Sequence, residues 1–265
     1  MKRRILMRTG VISPIAIAGG PAFAQTSGGG GKTYVLVSGT WCGGWFMRPL
    51  ADELRALGHR VFAPTNTGLG ERKHLLSQNI TLDTFIIDVM NVIEAEELKD
   101  IILVGHSSAG LAITGVADRM PDRIRHLVYL DAVLAQSGQN FLDSWPPDLA
   151  ETRRKAVTEI NGVRVLAPPS AGPGAQENPV VAWFYRQLTP HPFATFETPL
   201  MLAHPFGNGR PCTYVAFIKT PNPALEPSRT WVRSQKDWHW AELLQNHPAP
   251  AFAPKEVAQL LVDIG

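Results

Sequence analysis

The residues best suited to chemistry lie between Ile101 and Gly110, in the run IILVGHSSAG. Four apolar residues read as a buried strand, a Gly-x-Ser-x-small turn follows, and a helix-compatible run comes after it. At such an elbow Ser107 sits in a strained turn with its hydroxyl above the carboxyl end of the strand. The N-terminus of the next helix then offers an N–H to a developing oxyanion. That arrangement suits nucleophilic attack on a carbonyl. Gly105 and Ala109, two residues to either side, are small enough for the backbone to turn, although Gly is the usual residue where Ala109 stands. Ser108 is a competing nucleophile within His-Ser-Ser-Ala-Gly, but that register puts His106 where a small residue is needed.

A nucleophilic serine needs a base, and the base needs an orienting acid. His247 lies in a loop, Gln245-Asn246-His247, just after a strand-like run from Trp238 to Leu243, whereas His239 falls inside that run. Asp131 directly follows the strand-like Ile124 to Leu130 and is the better-placed acid. Glu226 is its rival, as the first carboxylate after a later strand ending near Ile218. It stands between Pro223 and Pro227, in a segment expected to have no regular structure.

The elements that must position these residues alternate along the chain. Tyr34 to Val37 reads as a strand, followed by a Gly-rich turn (38–45) and a helix from Met47 to Leu57. His59 to Ala63 reads as a second strand, and Thr81 to Leu98 as an amphipathic helix. After the elbow come a helix from Leu111 to Arg119 and the strand Ile124 to Leu130. Thr213 to Ile218, Trp238 to Leu243 and a closing helix from Pro254 to Ile264 complete the series. Strands alternating with helices predict a parallel sheet covered on both faces, with ligands at the carboxyl ends of its strands. Residues 133–210 break this rhythm: Pro and Gly become dense, and apolar aromatics persist in short helical pieces such as Val180 to Leu188. An insertion of this length predicts a cap over the carboxyl-end edge, lined by some of Trp145, Trp183, Phe184, Phe193 and Phe196.

Composition fits one globular α/β domain: 265 residues, 45% of them apolar and 18% charged, with a formal charge of +2. No Lys/Arg cluster occurs beyond the extreme N-terminus, so no footprint for nucleic acid exists, and a small neutral or apolar partner is expected. Lys2, Arg3 and Arg4 precede a short apolar segment, Val11 to Ala18, that leads to Ala22-Phe23-Ala24. This pattern predicts a bacterial signal peptide over 1–24, by the Sec or the twin-arginine route, and so a periplasmic or secreted protein. The apolar run is too short, and broken by Pro14, to be a stable membrane anchor. A flexible linker over 25–32 would then lead into a single domain over 33–265. Cys42 and Cys212 fall at opposite ends of the predicted sheet and are expected not to form a bridge.

Several segments together resemble one family: VLVSGTWCGGWFMRPLADEL, VGHSSAG, LVYLDAVLAQSGQNFLD, LTPHPFATFETPL and NHPAPAFAPKEVAQLL. They resemble the α/β hydrolases that group plant methylesterases and hydroxynitrile lyases with bacterial carboxylesterases and pyrethroid-type ester hydrolases. The resemblance covers residues 33–265. It implies an α/β-hydrolase fold with a mostly parallel six-stranded sheet, helices on both faces and a small cap. It also implies hydrolysis of a small, largely apolar carboxylic ester without a cofactor. By position, Ser107 is the implied nucleophile and His247 the base, and the backbone N–H groups of Thr40 and Ser108 form the implied oxyanion hole; some members of the superfamily carry the acid at the strand end where Asp131 stands. Trp41 in the Gly-rich turn and Trp183 and Phe184 in the insertion are the candidate substrate contacts. The family normally has His-Gly where this chain has Ser38-Gly39, a change that removes a side chain which braces the loop but keeps the backbone donor. No HExxH, Cys/His cluster or Gly-rich phosphate loop offers a site for metal or nucleotide. Two other readings stay open on the same scaffold. A hydroxynitrile lyase typically has a lysine beside the catalytic histidine, where this chain has Pro248; a non-catalytic small-molecule binding protein would keep the pocket with a relaxed triad.

Overall fold

The computed structural model describes residues 30–175 and 177–265, so the segment read as a signal peptide and most of the linker lie outside the described residues. Short runs rich in Val, Ile, Leu and Tyr form the strands of the main sheet. These are β1 (Thr33–Val37), β2 (Arg60–Phe62), β3 (Ile101–His106) and β4 (Ile124–Leu130), followed after the insertion by two more. The insertion contributes β5 (Val157–Ile160), β6 (Val163–Leu166) and β7 (His191–Pro192); the main sheet then resumes with β8 (Cys212–Phe217) and β9 (Trp238–Leu243). The six strands of the main sheet run in the order β2-β1-β3-β4-β8-β9 with every neighbouring pair parallel. All six residues of β3 are buried, as a central parallel strand covered on both faces requires.

The helices divide between the two faces. Along β1, Tyr34 and Leu36 pack with α1 (Gly44–Ala56) and, at the C-terminus, α8 (Ala249–Phe252) and α9 (Pro254–Ile264). The alternate residues Val35 and Val37 face α2 (Leu82–Ala95) and α3 (Ala109–Arg119). Leu225 and Val232, the latter on α7 (Glu226–Ser234), join that second core. The strand divides its side chains between two cores with period two, and the parallel pairing of all six strands puts every carboxyl end at the same edge.

The structure departs from the sequence expectation in three places. α1 opens at Gly44 rather than Met47, because the Gly44 N–H donates to Thr65 Oγ1 at 2.7 Å and the tight Gly43-Gly44 backbone enters the helix directly. Residues 226–234 are helical. Pro227 occupies the first turn of α7, where its missing N–H costs no hydrogen bond. The insertion is not built of helical pieces alone: besides α4 (Pro147–Lys155), α5 (Pro179–Gln187) and the single turn α6 (Ala194–Glu197), it holds a three-stranded antiparallel sheet, β5-β6-β7. The β5-β6 turn is Asn161-Gly162, both at positive φ (49° and 78°), the residue pair that a right-twisted two-residue hairpin favours. Cys42 and Cys212 are both buried and unbridged.

Candidate active site

Ser107 stands at the junction of β3 and α3 with φ 57°, in the left-handed region that an L residue adopts only when its surroundings enforce it. Several backbone bonds do so. The Ser107 N–H donates to the Leu130 carbonyl at 3.2 Å, and the Ser107 carbonyl accepts from the Val133 N–H at 2.9 Å. Two glycines make room. A Cβ on Gly39 would come within 2.7 Å of the Ser107 Cβ, and one on Gly105 would meet Ile113 at 2.9 Å and the Ala109 carbonyl at 3.1 Å. These positions are Gly for closeness of approach, since neither has positive φ.

The structure brings the three sequence-predicted side chains together. His247 Nε2 lies 3.0 Å from Ser107 Oγ, and His247 Nδ1 lies 2.7 Å from Asp131 Oδ2. Asp131 follows β4 with φ 46°, its N–H donating to the Val215 carbonyl at 2.8 Å. Its carboxylate is held from two further sides: Arg229, on α7, donates to Oδ1 at 2.7 Å, and the Phe217 N–H donates to the same oxygen at 3.3 Å. Arg229 also donates to the Phe217 carbonyl at 2.9 Å and to Glu226 at 2.7 Å. Glu226 therefore engages Arg229 and not His247. Burial alone would raise the Asp131 carboxyl, but the hydrogen bonds and charges of His247 and Arg229 outweigh it and hold the group below the usual carboxylate range. Nothing in the local sequence announced Arg229, which lies 98 residues from its partner.

A second residue missed in the sequence is His106, the neighbour of the serine. Its ring packs 4.5 Å from that of His247, and its Nε2–H donates to the His247 carbonyl at 2.8 Å, while Nδ1 is buried without a partner. Burial, reinforced by the His247 ring beside it, pushes the His106 imidazole down to about 3, so it stays neutral. It fixes the backbone of the His247 loop from beneath.

Thr40 and Ser108 face each other across the cleft. The Thr40 hydroxyl donates to Ser108 Oγ at 3.0 Å, so the Ser108 side chain is engaged there. Ser38, in the place of the bracing histidine, donates from Oγ to the Cys42 carbonyl at 3.1 Å and ties the Gly-rich loop locally. Trp41, at φ 65°, is pinned by residues of the insertion. Its backbone N–H donates to His191 Nδ1 at 3.4 Å, its indole N–H donates to the Leu166 carbonyl at 3.0 Å, and its carbonyl accepts from the Thr189 N–H at 3.0 Å.

These groups open onto a cavity of about 540 Å³ whose walls include Trp41, Phe141, Trp145, Phe184, Leu188 and Phe196 beside Ser107 and His247. Trp183 and Phe193 do not line it. The Trp183 ring packs edge-on against Trp45 at 5.3 Å, and Phe193 is fully buried against Phe196 at 6.0 Å. Among the described residues no group of three or more His, Cys, Asp or Glu side chains is placed to hold a metal.

Comparison with known proteins agrees with this architecture. A carbendazim hydrolyzing esterase of Nocardioides sp. (strain SG-4G) is 38% identical over 244 residues, covering 88% of this chain and 99% of that one. Salicylic acid-binding protein 2 of Nicotiana tabacum is 32% identical over 111 residues, 42% of this chain and 43% of that protein. An extracellular alpha/beta-hydrolase from a Paenibacillus species, described as sharing structural and functional homology with the tobacco protein, superposes with a TM-score of 0.75 at 26% identity, over 88% of this chain and 99% of that one. Residues 34–260 match the alpha/beta hydrolase family, and with the six-stranded parallel sheet and the serine elbow in place, the chain belongs to that family.

Proposed function

We propose that the protein is an exported serine esterase that cleaves small, largely apolar carboxylic esters through an acyl-enzyme. The observation that carries this reading is the unbroken chain of contacts from Ser107 Oγ to His247 Nε2 at 3.0 Å and from His247 Nδ1 to Asp131 Oδ2 at 2.7 Å. His247 takes the Ser107 proton as the oxygen attacks the ester carbonyl, and Asp131 keeps the imidazole in the required tautomer and stabilises the imidazolium. The backbone N–H groups of Thr40 and Ser108 receive the oxyanion. Protonated His247 then gives its proton to the leaving alcohol, and water releases the acid by the same route in reverse. The largely apolar cavity suits an uncharged ester body, and the esterase name of the Nocardioides relative supports the reaction class.

A fluorophosphonate probe tests the reading directly. Stoichiometric labelling of Ser107, with hydrolysis of p-nitrophenyl esters that varies with acyl length, is expected. Failure to label, with esters bound but not turned over, would favour a binding protein on this scaffold. Loss of labelling in Ser108→Ala with retention in Ser107→Ala would move the nucleophile by one residue. Export rests on the N-terminal pattern and on the extracellular description of the Paenibacillus neighbour. Mass spectrometry of the secreted or periplasmic protein should find Gln25 or a near neighbour at its N-terminus; an intact Met1 would overturn that part.

A further inference from the structure

One cavity wall carries a charge that the reaction at Ser107 does not use. Arg153, on α4 of the insertion, is the only Asp, Glu, Lys or Arg among the described residues lining the cavity. Its guanidinium carbon lies 5.4 Å from the Trp41 ring centroid and 5.1 Å from that of Trp145. Its neighbours Arg154 and Lys155 both reach Glu151, at 3.9 and 3.5 Å, whereas among the described residues Arg153 has neither a carboxylate partner nor a hydrogen-bond acceptor. Burial works against its charge. A half-buried cation without a counter-ion is costly, and two aromatic contacts offset only part of that cost.

The geometry around it is fixed. Trp41 is tied at its N–H, its carbonyl and its indole N–H to residues of the insertion, so one wall of the guanidinium's seat is rigid. Both rings lie against the guanidinium, and its N–H edges meet no acceptor among the described residues. A planar, two-oxygen anion is the ligand that fits such an edge, through paired N–H···O contacts. Phe141, Leu149, Phe184, Leu188 and Phe196 make much of the rest of the wall apolar, beside the polar Tyr185 and Asn222, which suits a hydrocarbon or aromatic body joining a group held at Arg153 to an ester at Ser107.

We propose that Arg153 anchors a substrate carboxylate, so that the preferred substrates are half-esters, with an apolar or aromatic body carrying the scissile ester at one end and a free carboxylate at the other. This rests on the esterase reading above and narrows its substrate class.

Monomethyl terephthalate, 4-carboxyphenyl acetate and their uncharged counterparts, methyl benzoate and phenyl acetate, make the test. The first carries its carboxylate in the acyl part and the second in the alcohol part, so the responding pair tells which half lies under Arg153. In at least one pair the wild-type kcat/KM should favour the anionic ester by about tenfold or more, the scale of a hydrogen bond to a charged group. Arg153→Met, which keeps an apolar stem against both tryptophans, should bring that ratio near one, and Arg153→Lys should retain part of it. Ratios near one in the wild type, unchanged in both variants, would overturn the proposal while leaving the esterase reading intact. A second measurement does not depend on turnover: terephthalate binding followed by tryptophan fluorescence should weaken about tenfold in Arg153→Met. If no ester is cleaved and Ser107 does not label, the esterase reading fails, and this binding comparison still decides the role of Arg153. Equal binding in wild type and Arg153→Met would reject it.

Discussion

The two halves of the candidate triad are built by different means. The serine half is backbone: the left-handed Ser107, the close approach of Gly39 and Gly105, and main-chain bonds to Leu130 and Val133, with most of its partners within a few residues of a strand end. The acid half is side chain: Asp131 is gripped by Arg229, itself tied to Glu226, and the His247 loop rests on His106. The serine half is therefore robust to surface substitution and vulnerable to any added Cβ. The acid half hangs on a buried ion pair, which loses far more when one partner is removed than the pair contributes when intact.

Four experiments break or sharpen that contrast. The largest effect belongs to Ser107→Ala, which should lower turnover by about 10⁴-fold or more, because it removes the proposed nucleophile. The backbone strain is carried by neighbours, so circular dichroism and the thermal midpoint should stay close to wild type; a collapse of the fold would show that the hydroxyl also holds the elbow. Asp131→Asn follows, with a fall in turnover of roughly 10³- to 10⁴-fold, since the amide has no charge to hold an imidazolium and, with its one oxygen turned to Arg229, presents its NH2 to His247 and favours the wrong tautomer. Glu226→Gln should cost far less. The reverse order would hand the orienting role to Glu226.

Arg229→Met should act on stability before chemistry. It leaves the almost fully buried Asp131 carboxylate without its cation, a change worth about 3–5 kcal/mol in comparable buried pairs. Urea unfolding reads this, and the double variant with Asp131→Asn should recover part of the loss. Strict additivity would mean that the two groups do not act as a pair.

The most gradual effect per pH unit is acid sensitivity. Burial pushes both His106 and His191 down to about 3, against an ordinary value of 6.5. Between these values the unfolded chain binds the protons that the folded chain refuses, so stability falls as pH drops from about 6.5 towards 3 and is unaffected by these groups above that window. Each histidine contributes a slope of up to about 1.4 kcal/mol per pH unit. His191→Gln should remove one such share from the dependence of unfolding free energy on pH. An unchanged slope would mean that His191 takes up its proton as readily in the folded chain as in the unfolded one.

Much of this was legible before any coordinates. β9 and α9 fall on the residues that the hydrophobic pattern marked, Trp238–Leu243 and Pro254–Ile264, and β4 does so from Ile124 to Leu130. These elements have strong local periodicity and clear Pro or Asp boundaries. The helix over residues 226–234 is not legible in the sequence, where Pro227 points to irregular structure although it marks a first turn. The hairpin at Asn161-Gly162 was hidden within a Pro- and Gly-rich stretch even though its turn pair is a strong signal.

What the sequence by itself determined is the elbow, the alternation of strand and helix, and a chain order of serine, acid and histidine with Asp131 favoured over Glu226, because each depends on residues adjacent along the chain or on a strand end whose place a parallel sheet dictates. Only the tertiary structure decided that Arg229 and Glu226 stand behind Asp131, that Trp183 packs on Trp45 rather than facing the cavity, and that Arg153 lies between Trp41 and Trp145. Those contacts join side chains from elements far apart in the chain, and which face of a short helix turns inward is decided by what the rest of the fold leaves for it to bury against.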